Sequence, residues 1–585
     1  MRNFAHQCLE LARLLLGNAL PSVTEEGAVV PAEGETALTD ESAHTFNALA
    51  EFYRTTHETT LNEVDLIETA AHCFLYQSQQ PTSRAMFLQN ALSLSAFGTN
   101  REHNPIWEKA DEETRKNFEK RLTERATADD GFSTILNILR ATVRYNFGYT
   151  QKDEVPKLID EFLENLRSTN GWLARPCEHG IGGCFDDAAL EAFLFIRQVL
   201  DAHTHFSMIE RKLPSLRTGT ERVLKLLPDM VRADGLGWAY GSDIGIYGQL
   251  YPMTLLVQCF YDRWIPTDKI PFYGDLLCRL FQYFFGTFVD TERACLVVND
   301  GERRTVPSQT TRSVTFDTIA FLCRWARWTG KLKETLISSE ETTKTKGRWV
   351  LFEKTYNKEQ GLLLYRDAAS GLTVQLPLIG NDGKADALAF PHCPGIFDTP
   401  VVMYLPVLLP ELTINGTQTL PSFYGKNCVL GLGLKKAVTF SYEQPELISK
   451  DETLLSGIGS VKVRWSFEGS AVSASFVYKF KQPVTVERLR FVIPLSMPHG
   501  THHLNTSLML GENSLQVSVA KDDFGARWKE IESVVDDPAY RTPYGKICYL
   551  QTLERSTPLH VKPGKEYCLQ LELKPDVRCF VGGEG

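Results

Sequence analysis

Near residue 340 the sequence changes its period, and that change limits the folds open to it. Before it, apolar residues recur at the spacing of one helix face; after it, they alternate as they do along a half-buried strand. The first part predicts about twelve amphipathic helices, over 2–17, 41–56, 64–79, 84–96, 110–126, 131–146, 153–168, 185–201, 206–227, 246–263, 271–288 and 313–333. Pro, Gly and Asn mark the joints, as at Gly17-Asn18, Gln80-Pro81 and Asn170-Gly171. Ser338 to Gly347 is polar, with no apolar residue to bury, and reads as a linker. Short β-rich runs follow, among them Trp349–Phe352, Gly361–Tyr365, Thr373–Leu378, Val401–Tyr404, Ser460–Phe467, Ala471–Tyr478, Val486–Ile493 and Tyr567–Leu573. All helices followed by all strands argues for segregated domains, not an alternating sheet. The chain, 585 residues long, exceeds what one compact core holds. The expected organisation is α+β and multidomain: a helical domain over 1–337, a linker over 338–347 and a large antiparallel β domain over 348–585. Turn residues in the last part fall at the interval of a β-sandwich. The helical part shows no consensus repeat, which disfavours a solenoid and leaves open diverged helical hairpins closed into a toroid.

A net charge of −10 lacks the basic face of a general nucleic-acid binder. No apolar run reaches the roughly 18 residues of a membrane span. The first apolar run, Leu11 to Leu16, is interrupted by Arg13 and follows Glu10, so it does not read as a signal peptide. The thirteen cysteines are scattered singly, most in apolar context. They read as reduced core residues, and the expected location is cytoplasmic. The sequons at Asn415 and Asn505 weigh little against that.

Three stretches carry chemistry. The first is Asp234 to Gln249, which joins two apolar helical segments. Five glycines fall between 235 and 248, and each would cost about 1 kcal/mol in a helix interior, so this is a loop. Such a loop lets a ligand approach backbone, and its aromatic rings suit a sugar; an ordinary turn with aromatic packing is the alternative. Tyr240, Asp243 and Tyr247 supply hydroxyl and carboxylate groups. The second is Gly171 to Asp187, a glycine-rich loop with the charged pair Glu178-His179 just before a helix. Asp186 and Asp187 suit the start of that helix, where negative charge is favoured. The third is Asn381 to Asp398, where His392 lies between Pro391 and Pro394, which forbid a central strand. His499, His502 and His503 are expected in a surface turn after Pro498. The chain has no P-loop, no G-x-S-x-G and no H-E-x-x-H, and Gly431-Leu432-Gly433 lacks a third glycine.

Taken together, a helical domain, the Glu178-His179-Gly180 loop, the Asp234-Gly235 loop ending in Tyr247, and a β domain with an early histidine resemble the toroid-plus-sandwich polysaccharide lyases. The likeness is to the heparinase II/III-like and oligoalginate lyase families. There an Asn-His-Gly-like motif opens a helix, a later Asp-Gly segment ends in a catalytic tyrosine, and a sandwich histidine completes the site. The resemblance implies an (α/α) toroid followed by a β-sandwich. It implies Tyr247, His179 and His392 as catalytic residues, and β-elimination on a uronate-containing oligosaccharide, cut in exo mode. Tyr247 would serve as acid and base, and His179 or His392 as base or neutraliser. Trp172, Trp238 and Tyr240 would stack on sugar faces, with Arg175, Glu178, Asp243 and Gln249 also contacting substrate. Glutamate stands at 178 where the families carry asparagine or glutamine. It would repel a uronate unless Arg175 or a divalent metal neutralised it. No cofactor motif is present, and an oligomer is left open. Two other readings remain. One is a glycoside hydrolase using two carboxylates among Asp186, Asp187, Asp234 and Asp243. The other is a glycan-binding protein without catalysis.

Overall fold

A computed structural model describes residues 2–575 apart from 100, 126–130, 169–195, 205–209, 233, 239–244, 306–308, 333–345, 354–359, 368–372, 381–408, 422, 425–428, 433–436, 451–452, 496–501, 505–506, 511–514 and 544. Among the described residues helices dominate the first part and strands the second, giving a mixed helix-and-sheet protein with several antiparallel sheets. Most expected helices are present within a few residues of their predicted limits, from Arg2–Ala19 to Thr311–Thr329. Their starts follow capping chemistry: Asp65 accepts from the Ile67 and Glu68 amides, and Thr310 and Ser313 form a capping box. Not foreseen were the short helix Pro105–Lys109 and the two-residue strand pairs Thr60–Leu61 with Val64–Asp65 and Val289–Asp290 with Cys295–Leu296. Each is too short to show a period.

The helix Thr311–Thr329 packs on Arg2–Ala19, on Glu41–Thr56 and on Tyr247–Tyr261. Glu41–Thr56 packs on Arg84–Ser93, which packs on Gly131–Asn146. Asn146 at the end of that helix donates to the Ala202 carbonyl at 2.8 Å and accepts from the Thr204 amide at 3.0 Å. Arg197, in the helical turn 196–201, forks onto Asp262 with two 2.8 Å bonds, at the end of Tyr247–Tyr261. The last helix thus lies against the first two, and the series returns to its start. One apolar core runs through these helices, with Trp238, Trp325 and Trp328 buried in it.

The strands form a second core. An eight-stranded sheet is ordered Val429–Leu432, Val438–Gln444, Gly459–Glu468, Ala471–Phe480, Glu566–Pro575, Leu515–Asp522, Ser507–Leu510, His502–Leu504. A seven-stranded sheet centres on Val484–Leu495 with Tyr549–Arg555 and Glu411–Ile414. A four-stranded sheet joins Lys346–Glu353, Gln360–Arg366, Thr373–Gly380 and Phe423–Tyr424; its last pair is parallel, a departure from the expected antiparallel arrangement. His502–Leu504 is a strand paired with Ser507–Leu510, not a turn, because its backbone completes the edge of the large sheet. Lys346 and Gly347, read as linker, lie in the first strand, and Val401–Tyr404 falls outside the described residues.

Alternation along Gln360–Arg366 ties the two cores together. Leu364 joins the helical core, while its neighbours Leu363 and Tyr365 join the strand core. Close by, Arg348 pairs with Asp229 at 2.6 Å, and the Gln375 amide donates to the Met230 carbonyl at 3.0 Å. A second joint places Pro543 against Gly245, and there the Arg304 amide meets the Thr542 carbonyl at 3.3 Å.

Candidate active site around Tyr247

Tyr247 opens the helix Tyr247–Tyr261 beside the second joint. Glycines make the turn into it. Gly235 and Gly245 hold φ of +97° and +93°, a region where a side chain would be strained. A Cβ on Gly235 would stand 2.2 Å from the Arg279 carbonyl oxygen, and one on Gly237 2.2 Å from that of Gly248. At these two positions the close approach is made by the protein's own backbone rather than by a ligand. Gln249 locks the same turn: its amide donates to the Gly235 carbonyl at 3.1 Å and accepts from the Gly237 amide at 2.6 Å.

This corrects two expected substrate contacts. Gln249 is fully buried and spent on the loop, and Trp238, 2% exposed, belongs to the helical core and offers no face to a sugar. Asp234, a candidate hydrolase carboxylate, pairs instead with Arg232 at 2.7 Å and accepts from the Leu236 amide. His179, His392, Glu178, Arg175, Trp172, Tyr240, Asp243, Asp186 and Asp187 lie outside the described residues.

Tyr247 does meet chemistry. Its hydroxyl donates to Asp317 Oδ2 at 2.6 Å, and Asp317 Oδ1 lies 2.7 Å from His44 Nδ1. Three helices supply the three groups: Tyr247 from the first turn of its helix, His44 from the first turn of Glu41–Thr56, and Asp317 from Thr311–Thr329. The His44 side chain is 14% exposed and that of Asp317 16%. Burial works against a charged imidazole, but the charge and hydrogen bond of Asp317, with help from Asp40 and Glu41, outweigh it and raise the His44 pKa to about 9. At neutral pH His44 is therefore an imidazolium, held against Asp317. Glu41, 2% exposed, lies in the same turn as His44 and accepts from the Thr310 hydroxyl, and burial raises its pKa.

Sequence reasoning reached Tyr247 and missed its partners. The available signals were His44 flanked by Asp40 and Glu41 at a helix start, and Asp317 as the single acidic residue in the long apolar stretch Val314 to Trp328. Among the described residues no three His, Cys, Asp or Glu side chains form a metal site, and no helix is long and apolar enough to cross a membrane. The eight described cysteines are free, and burial pushes the Cys73 thiol up to about 12, so it stays protonated.

No family model matches the chain, and no curated protein does. Solved structures match over nearly its whole length. A Paenibacillus xanthan lyase shares 9% identity at a TM-score of 0.52, over 99% of this chain and 58% of its own. A chondroitinase AC lyase, solved with oligosaccharides, shares 9% identity at 0.51, over 98% of this chain and 82% of its own. The fold resembles that of polysaccharide lyases. A heparan sulfate lyase from Pedobacter heparinus shares 9% identity over 97% of this chain and 87% of its own, at a TM-score of 0.34. The chain spans little more than half of the xanthan lyase, so it has the length of part of that enzyme. Within this lyase-like fold, Tyr247 stands where a helix start, a glycine turn and the second joint between helices and strands meet.

Proposed function

We propose that the protein is a lyase that cleaves uronate-containing oligosaccharides by β-elimination, working from a chain end. The single observation that carries this reading is the hydroxyl of Tyr247 hydrogen-bonded to a carboxylate that is itself paired with a protonated histidine. The likeness of fold to lyases supports it. On this reading the helices form an (α/α) toroid over about 1–337 and the strands a sandwich from about 348, joined by a linker. The return of the last helix onto the first two supports the toroid.

The chemistry must remove a weakly acidic proton from C5, beside the uronate carboxylate. The oxygen of Tyr247 takes that proton while its own proton passes to Asp317 Oδ2 along the 2.6 Å bond. The C5–H electron pair becomes the C4–C5 double bond, and the C4–O4 pair leaves with O4. Tyr247 then protonates O4, recovering its proton from Asp317. An ordinary tyrosine pKa is about 10, so a relay through a partner is easier than starting from a free phenolate. His44 cancels the charge of Asp317, so the site does not repel an anionic sugar. His179 or His392, with Arg175 or a divalent metal, would neutralise the uronate carboxylate. Tyr240 and Trp172 would bind the sugar face.

The test is the ultraviolet absorbance of the unsaturated uronate formed from a panel of uronate oligosaccharides, with Tyr247→Phe and Asp317→Asn beside the wild type. A rise that both variants suppress, with single unsaturated units released first, is the expected result. New reducing ends without the absorbance would move the assignment to a hydrolase.

A further inference from the structure

Away from the Tyr247 cluster, a cavity among the described residues combines volume with unbalanced charge. It measures about 170 Å³ and lies between the ends of Glu112–Thr123 and Gly131–Asn146 and the stretch leading into Val155–Ser168. Four cations line it, Arg125, Arg140, Arg144 and Lys152, against one carboxylate, Glu154. Among the described residues the net lining charge is therefore +3 (4 − 1). Arg140 and Arg144 are one helical turn apart and share a face.

Arg140 is 4% exposed, yet its charge is poorly answered. A single Glu154 oxygen serves both Arg125 at 3.2 Å and Arg140 at 3.5 Å, the second a long contact. The Arg140 Nε has no partner among the described residues. Burial and then the charges of Arg125, Arg144 and Arg84 lower its pKa, and only Glu154 opposes them. Buried guanidinium groups are ordinarily paired with anions, because an uncompensated charge in a low-dielectric site is costly. A planar donor fork that is already desolvated and already positioned suits an oxyanion better than a halide.

We propose that this cavity is a binding site for a small anion bearing a phosphate or sulfate group. Arg140 would form its floor, with Arg144 and Lys152 at its side. The anion would be either free in solution or an ester on a sugar, and the two differ only in what lies beyond the tetrahedral group. No part of this depends on the lyase reading.

Calorimetric titration of the full chain tests it, with inorganic phosphate, inorganic sulfate and a sulfated monosaccharide in chloride buffer of matched ionic strength. Saturable binding of at least one is expected, and the strongest identifies the source. Arg144→Gln should weaken it roughly tenfold or more through loss of a charge-assisted bond. Lys152→Gln, at an exposed position, should act in the same direction without risk to the fold. Glu154→Gln should tighten it by removing the competing carboxylate. Absence of saturable binding, or affinities unchanged in both cation variants, overturns the proposal. Asp129 and Asp130 are the carboxylates that follow Arg125 most closely in sequence. If only the Asp129→Asn/Asp130→Asn chain binds phosphate, the anion is the protein's own and the proposal also falls.

Discussion

His44 links the charge of the candidate site to pH. Its pKa is about 9 in the folded protein against an ordinary 6.5. A raised value means the ion pair with Asp317 contributes its full stability below about pH 6.5 and loses it as pH rises through about 9. The shift corresponds to about 3 kcal/mol at most. His44→Gln should therefore lower the denaturation midpoint at pH 6 and matter far less at pH 10, measured in urea. Catalysis should follow the same proton. Above about pH 9 Asp317 loses its counter-charge and repels an anionic sugar, so KM should climb on the alkaline side in the wild type. A KM independent of pH from 7 to 10 would remove His44 from this role. Gly235 gives a prediction of a different kind. With φ at +97° and 2.2 Å from the Arg279 carbonyl to any Cβ, Gly235→Ala should destabilise by more than about 2 kcal/mol. The expected readout is a lower melting temperature; an unchanged one would mean the turn relaxes freely. Tyr247 was legible in the sequence because glycines five apart or fewer must form a turn, and the turn ends on a tyrosine. His44 and Asp317 were not, because a pairing across 273 residues leaves no local pattern. Trp238 misled for the opposite reason: an aromatic in a glycine loop looks exposed in sequence, and here the loop folds back onto the core.

At the scale of elements, the same helices carry a second charge cluster toward their other ends. Glu51, 2% exposed, accepts from Arg54 at 2.9 Å and Arg327 at 2.8 Å, with Arg324 at 3.9 Å. Arg54 and Arg327 lie in the last turns of Glu41–Thr56 and Thr311–Thr329, where helix carbonyls favour positive charge. Burial opposes the Glu51 carboxylate, but the three arginines prevail and its pKa falls to about 2. A lowered value means this stability is complete above about pH 4.5 and is lost as pH drops through about 2. Glu51→Ala should cost roughly 3–5 kcal/mol at pH 7, because three guanidinium groups lose their shared partner. Stability of Glu51→Ala equal to wild type at pH 7 would show that solvent or another anion replaces the carboxylate. These helices were readable from sequence because each carries an apolar stripe long enough to establish its period. The arginine positions read only as polar punctuation, since an amphipathic pattern does not say which charges become buried together.

At the scale of the molecule, the change of period near residue 340 separates helices from strands but hides how they are joined. The joint is one strand read on both faces: Leu364 is 2% exposed in the helical core, and Leu363 is fully buried in the strand core. The two leucines are adjacent and chemically identical, so they form an internal comparison. Truncating either should cost about 2–5 kcal/mol. Leu363→Ala removes packing from the strand core alone. Leu364→Ala opens a cavity where a buried side chain of the four-stranded sheet enters the helical core, beside Val350 of the neighbouring strand. Coupling between the two cores should therefore weaken in Leu364→Ala, and more so with Asp229→Ala, which removes the neighbouring 2.6 Å pair with Arg348. In scanning calorimetry the Leu364→Ala/Asp229→Ala chain should unfold as two separated transitions, whereas Leu363→Ala should keep the wild-type number. If both chains shift the profile alike, the joint near Gly245 and Pro543 carries the coupling instead, and the candidate site beside it holds the two cores together.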